Sequence, residues 1–288
     1  MDTRLCIVGI FFDGYYDIWE DFLELFNRNW PDCPYPVYIV DGTKNLDFPK
    51  KYQATILHAG EDSEYSKKIQ TALKEIDAEY YLVLLEDFFF ERPISNDPLK
   101  KIIISMDENE ISYLRMPMPE FMVGLKTKKY KEDQKSGFLY IPQSDEYTVT
   151  CQPSIWRKEF LLQCIGTENY NAWVFEGIYS YSRYAHSDNF LNRCRICLSN
   201  PLGLRHGAVQ GRLLPNVYED ICKSGYVFKN HREILDEAQY KKHLRKQRLK
   251  GLIPQWFQKE IKKVIKGRSV VDRYKDEIKD TMSKMGLE

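Results

Sequence analysis

The chain has 288 residues, 43% hydrophobic and 29% charged, with 42 basic residues against 42 acidic ones and a formal net charge of zero. It is long and apolar enough to bury a sizeable core, which excludes a disordered chain. The N-terminal apolar run Leu5 to Phe12 is too short for a membrane span or a signal segment and stops at Asp13, so a cytoplasmic protein is expected.

In chain order, Arg4 to Phe12 reads as a buried strand and Tyr16 to Asn29 as a helix with Ile18, Phe22, Leu25 and Phe26 on one face. A breaker cluster, WPDCPYP, precedes a strand over Val37 to Val40 that ends at Asp41-Gly42. A short strand over Ile56 to His58, a helix over Tyr65 to Ile76 and a strand over Tyr80 to Leu85 follow. Beyond them the signals predict strands at Ile111 to Met116 and Tyr147 to Cys151, a charged loop over Lys126 to Ser136, a helix over Trp156 to Ile165 capped by Ser154, and a helix over Trp173 to Tyr184. Such alternation of strand and helix predicts an α/β fold, a mostly parallel twisted sheet flanked by helices. A linker-like change of composition falls near Lys223 to Glu237, which divides a body over 1–222 from a basic helical C-terminal extension over 223–288.

The run Tyr80 to Phe90, YYLVLLEDFFF, ends an apolar strand in two adjacent carboxylates, Glu86 and Asp87. Acids beside Leu84, Leu85 and Phe88 are costly to bury unless a cation meets them; the other reading is a strand end that reaches solvent. Asp13 and Asp41 also stand at strand ends, and ligands of open parallel sheets bind beyond the carboxyl ends of the strands. No GxGxxG follows the first strand and no GxxxxGK[ST] occurs, which disfavours dinucleotide and P-loop chemistry. The seven cysteines are scattered, and Cys194 and Cys197 form a single CxxC without the second pair that a structural zinc site needs.

The ordered set of strand, DGY, helix, WPDCPYPVYIVDG, SKKIQTALKEI and YYLVLLEDFFF resembles a GT-A nucleotide-sugar glycosyltransferase, nearest to those of bacterial capsular and surface polysaccharide biosynthesis. TCQPSIWRKEFL and NAWVFEG resemble the acceptor-side segment of that family, and the likeness covers roughly residues 4 to 215. It implies a GT-A-like catalytic body whose donor half spans about 1–115 and acceptor half about 116–222. It also implies a nucleotide-sugar donor such as a UDP-sugar, and a divalent cation, Mn2+ or Mg2+, at the diphosphate. Asp13, Tyr15, Asp41, Lys68 and Glu86 would then border the donor, with Glu86 and Asp87 in the place of a DxD metal motif. Because Phe88 stands where a second aspartate is usual and neighbours on a strand face opposite ways, Asp87 is the favoured metal ligand, and a metal-independent enzyme is the alternative. A basic tail suits an anionic partner, membrane or nucleic acid, and of these the membrane is expected and no nucleic acid.

Inverting transfer needs a carboxylate base for the acceptor hydroxyl, and Glu176, flanked by Trp173 and Phe175 in NAWVFE, is the candidate; the alternative is a surface acid in a first helical turn. Trp156 and Trp173 are candidates to stack on acceptor sugars, or else core residues. His206, in LRHGAVQGR, is a candidate phosphate or metal ligand, with Arg205 and Arg212 as candidate phosphate ligands. Rival readings are a nucleotidyltransferase, which would release pyrophosphate, and a non-catalytic sugar-nucleotide binding protein.

Between Lys241 and Arg268 basic residues dominate and Glu260 is the sole acid. Ile253, Phe257, Ile261, Val264 and Ile265 share one helical face within that run, with Trp256 beside it. Such a helix suits an anionic membrane surface at the inner face of the plasma membrane, where a lipid-linked saccharide acceptor would lie; docking of the stripe on the protein's own body is the alternative.

Overall fold

The computed structural model describes residues 4–43, 52–117, 130–209, 211–252 and 273–287. Its first half alternates as the sequence predicts: β1 (Leu5–Ile10), α1 (Trp19–Asn29), β2 (Val37–Asp41), β3 (Ala54–His58), α2 (Tyr65–Glu75) and β4 (Tyr80–Leu85). A short 3-10 turn over Asp13–Ile18 occupies the start of the expected first helix, because Tyr15 has non-helical torsions. Then come β5 (Phe88–Phe90), α3 (Asn96–Glu108), β6 (Tyr113–Arg115), β7 (Glu132–Asp133), β8 (Phe138–Tyr140), β9 (Ser154–Arg157), α4 (Lys158–Ile165) and α5 (Ala172–Tyr181). The remaining elements are α6 (Asp188–Leu191), β10 (Cys194–Ile196), β11 (Leu204–His206), β12 (Ala208–Val209), β13 (Arg212–Leu213), α7 (Pro215–Lys223), α8 (Glu237–Leu252) and α9 (Lys275–Met285).

Nine strands form the central sheet in the order β3-β2-β1-β4-β9-β6-β10-β8-β7. β1 is parallel to β2 and β4, β2 is parallel to β3, and β6 is parallel to β10. β9 runs against both β4 and β6, and β8 runs against β10 and β7, so these two strands alone oppose the common direction among the described strands. Every residue of β1 is buried, as expected of a parallel strand covered on both faces. Alternation sorts its side chains: Leu5 and Ile7 enter the core under α1 and α3, whereas Cys6, Val8 and Ile10 enter the one under α2, α4 and α5.

Two expectations are corrected. Ser154 does not cap a helix from Trp156; Ser154–Arg157 is β9, and α4 begins only at Lys158. Ile155 and Trp156 suit a strand wedged between two neighbours, and Trp156 faces Tyr81 on one side and Tyr113 on the other. The segment 147–151 is not a strand but an irregular bridge. Its hydrogen bonds run to side chains and to α5: Arg115 donates to Thr148 O at 3.1 Å and to Tyr147 O, Thr148 Oγ1 donates to Tyr179 O at 3.0 Å, and Thr150 N–H donates to the Tyr113 hydroxyl at 3.3 Å.

The C-terminal part stays on the body. Tyr226, Phe228 and Leu235 join the core under α1, and Ile278 and Met282 of α9 are buried in the core that holds α5. The basic helix α8 exposes Lys241, Lys242 and Arg245. The apolar stripe from Ile253 to Ile265 lies outside the described residues. Among the described residues no helix is long and apolar enough to cross a membrane.

Candidate active site

At the carboxyl end of β4 the two acids part company. Glu86 is 4% exposed and accepts the Phe12 N–H at 3.3 Å, so it turns toward the end of β1. Burial, reinforced by the neighbouring charge of Asp87, holds its carboxyl well above the usual range. Asp87 faces the other way: its Oδ2 lies 3.3 Å from His206 Nε2, and its Oδ1 is buried without a hydrogen-bond partner among the described residues. The ribbon of β5 and β11 brings that histidine in, since His206 sits opposite Phe88 and stacks on its ring at 5.1 Å. Gly207 then donates its N–H to Asp87 O at 2.7 Å while lying so close to Phe89 that a Cβ there would meet the ring at 2.3 Å, an approach that only glycine allows.

The other rim acids are committed internally. Asp13 accepts N–H groups of Gly42 at 2.8 Å and Thr43 at 3.3 Å and pairs with Lys68 at 3.3 Å, which together hold its carboxyl below the usual range against the opposing effect of burial. Asp41 has no exposed surface; its Oδ1 meets His58 Nδ1 at 2.6 Å, its Oδ2 is buried without a partner among the described residues, and burial pushes its carboxyl up. Tyr15 is half-buried, and its phenol is raised first by burial and then by the charge of Asp87, which places it in the field of the acid pair.

On α5 stands Glu176. Asn171 starts this helix by accepting the N–H groups of Trp173 and Val174, at 3.0 and 3.1 Å. Trp173 is 47% exposed and, three residues before Glu176, lies on the same helix face. Glu176 is partly buried, and its Oε1 accepts the Cys151 N–H at 3.0 Å. Burial raises its carboxyl, and the Cys151 amide, Arg115 and His206 oppose that rise. The Cys151 thiol is raised mainly by burial and further by the charges of Glu176 and Asp87, so both carboxylates lie within electrostatic reach of one residue.

Several expected site residues are placed elsewhere. Trp156 is 1% exposed, donates its indole N–H to Ser154 Oγ at 2.8 Å and packs on Tyr113 at 4.4 Å; it is core and cannot stack on a sugar. Lys68 is 4% exposed and directs its ammonium to Phe11 O at 2.7 Å and to Asp13, so it braces two loops instead of facing a phosphate. Arg205 follows the alternation of β11 away from His206 and pairs with Glu91 at 2.8 Å. Arg212 pairs with Glu233 at 3.2 Å and donates to Gln239 at 2.7 Å. Residues the sequence did not single out include Arg115, buried at 7% exposure with an Nε unpartnered among the described residues, and Arg232, whose guanidinium lies over the Tyr15 ring at 3.9 Å. Neither stands in a motif, and only the fold brings them to the crevice.

Among the described residues no three or more His, Cys, Asp or Glu side chains are arranged to hold a metal by themselves. Glu86, turned to the Phe12 amide, does not join Asp87 in a shared ligand set. A free Oδ1 on Asp87 beside an imidazole still fits a cation such as Mn2+ or Mg2+ bound by one or two protein groups and completed by phosphate oxygens and water.

No protein-family model and no curated protein matches the chain. Among solved structures it is similar to Staphylococcus aureus TarS 1-349 in complex with UDP-GlcNAc, at 16% identity and a TM-score of 0.46 over 75% of this chain and 64% of that one. It is also similar to the mannosyltransferase PcManGT from Pyrobaculum calidifontis in complex with GDP-Man and Mn2+, at 10% identity and a TM-score of 0.42 over 72% of this chain and 58% of that one. A Drosophila β-1,4-galactosyltransferase 7 mutant with manganese, UDP-Gal and xylobiose follows at 7% identity and a TM-score of 0.37, covering 71% of this chain and 72% of that one. The chain spans less than two thirds of the length of the first of these TarS structures, 57% in the unliganded form.

Proposed function

We propose that the protein transfers a sugar from a nucleotide-sugar donor, in the first instance a UDP-sugar, to a saccharide acceptor, with inversion at the transferred carbon. The observation that carries this reading is the contrast of two carboxylates: Asp87, with one buried oxygen unpartnered among the described residues and the other beside His206, and Glu176, held by the Cys151 amide next to the exposed Trp173. In this reading residues to about 115 supply the donor half and 116–222 the acceptor half.

Asp87 and His206 would hold Mn2+ or Mg2+, which when bound supplies Lewis-acid charge to the departing diphosphate. Tyr15 closes the same end of the site. Trp173 offers an apolar face to an acceptor ring and so orients its hydroxyl toward the donor carbon. Glu176 Oε1 is engaged by the Cys151 amide, so Oε2 takes the hydroxyl proton as the acceptor oxygen bonds to the sugar. The bond from sugar to phosphate breaks, and the nucleoside diphosphate leaves. A raised carboxyl makes Glu176 a stronger base than an exposed glutamate.

The finer setting is assembly of a capsular or cell-surface polysaccharide on the cytoplasmic side of the membrane, with α8 resting on anionic lipid. Lys241, Lys242 and Arg245, exposed on that helix, support this, and such contacts would weaken with salt because the screening length is about 10 Å at 0.1 M. Thermal-shift screening of nucleotide sugars with and without Mn2+, followed by transfer assays with saccharide acceptors, tests the reading. A stabilising donor that is transferred supports it; a donor that binds but is neither transferred nor hydrolysed makes the protein a binding module, and release of pyrophosphate makes it a nucleotidyltransferase.

A further inference from the structure

After α7 the chain turns back across α1 instead of leaving the body. Asp21 of α1, with no exposed surface, anchors the returning strap: its carboxylate accepts the Tyr226 hydroxyl at 2.7 Å, the N–H groups of Lys229 and Asn230 at 2.8 and 3.1 Å, and the Asn230 side-chain amide at 2.7 Å. Further on, Leu213 donates its N–H to Glu233 O at 3.0 Å and accepts that of Leu235 at 2.8 Å, which joins the strap to β13. Arg232 lies between these anchors with its side chain 11% exposed.

Its guanidinium meets two separate loops. Nε and Nη2 fork onto the Asp17 carboxylate at 2.6 Å each, Nη2 reaches Gly14 O at 3.3 Å, and the plane lies over the Tyr15 ring at 3.9 Å. Nη1 reaches Gly211 O, in the turn before β13, at 3.4 Å. A shielded guanidinium is costly unless its donors are met, and here both loops must hold their places to meet them. The turn that carries Tyr15 begins directly after Phe12, whose N–H meets Glu86 at 3.3 Å, and the Tyr15 phenol is raised by burial and by the charges of Asp87 and Glu86.

We propose that Arg232 is a positioning residue of the donor site: it locks the Asp13–Ile18 turn, which follows directly on the Phe12 amide that meets Glu86, to the Gly211 turn, and so controls how tightly a nucleoside diphosphate is held without touching it. This rests on the donor-site reading given above. Lysine keeps the charge but cannot make the fork, so a lock built on geometry fails in Arg232→Lys as it does in Arg232→Ala.

The test is hydrogen exchange on the full ligand-free chain, with calorimetric titration of UDP and GDP in Mn2+ alongside. In both variants the amides of residues 13–17 and 211–213 should exchange about tenfold faster while those of β1 and β4 keep their rates, and nucleoside diphosphate affinity should fall about tenfold. Asp17→Ala should speed exchange in the same two loops, and combining it with Arg232→Ala should add little, as expected of partners in one interaction. Unchanged exchange in the two loops would overturn the proposal, as would faster exchange throughout the sheet, which would make Arg232 a residue of overall stability. Failure of the wild type to bind either diphosphate would sink the donor-site reading, while the exchange rates would still decide whether the lock exists.

Discussion

On the proposed donor side, Asp13 and Asp41 reach the rim of the sheet but serve the protein: one clamps the Gly42 loop and Lys68, the other holds His58. On the proposed acceptor side, α5 presents Glu176 bound to a backbone amide and leaves Trp173 open beside it. An acid at a strand end is therefore a weak sign of ligand binding, and an acid with an unpartnered oxygen is a stronger one. By that criterion Asp87 Oδ1, unpartnered among the described residues, stands out, and Asp41, although it holds His58 with one oxygen, keeps the other in reserve.

The largest expected effect lies on the acceptor side. Glu176→Gln keeps the size of the side chain and its bond from Cys151 but cannot take a proton, so turnover should fall by about 10²- to 10⁴-fold in a steady-state assay while donor affinity stays near the wild-type value. Near-normal turnover would remove the base from α5 and erase the contrast between the two sides.

The two tryptophans sharpen it next. Trp156→Ala opens a cavity between β4 and β6 and should cost about 3–5 kcal/mol in denaturant unfolding. Trp173→Ala should change stability by less than about 0.5 kcal/mol, as surface substitutions do, yet raise the KM for the acceptor. Equal stability losses would mean that Trp173 belongs to the core after all.

A smaller effect concerns the turned-away acid. Glu86 keeps its proton to higher pH in the folded chain than in the unfolded one, so between the two values the folded state binds more protons and stability falls as pH rises. In metal-free buffer the melting temperature should decline from about pH 5 to about pH 8, and Glu86→Gln should remove part of that decline. A variant with the same pH slope as the wild type would show that Glu86 is not held protonated by burial.

The donor half was legible because its strands are continuous apolar runs and its helices keep one apolar face, as in Leu5–Ile10 and Tyr65–Glu75. The helix over Asn96–Glu108 was not predicted, although Leu99, Ile102, Ile103 and Met106 carry the helical period behind a proline that reads as a breaker. β9 was misread as helix because SIWR is flanked by a good helical sequence, and only its neighbours β4 and β6 fix it as a strand. Of the site, the acid pair and NAWVFE could be found locally. The inward turn of Lys68, the outward pairing of Arg205 with Glu91 and the strap bearing Arg232 depend on partners far along the chain, such as Asp17 for Arg232.

The central claim is that Asp87 serves the donor end of the crevice, and calorimetric titration of UDP into wild type and Asp87→Asn, each with and without Mn2+, tests it most directly. The wild type should bind tightly only with the metal, and Asp87→Asn should lose most of the metal-dependent gain while melting within a few degrees of the wild type. Superimposable isotherms for the two proteins in Mn2+ would contradict the account.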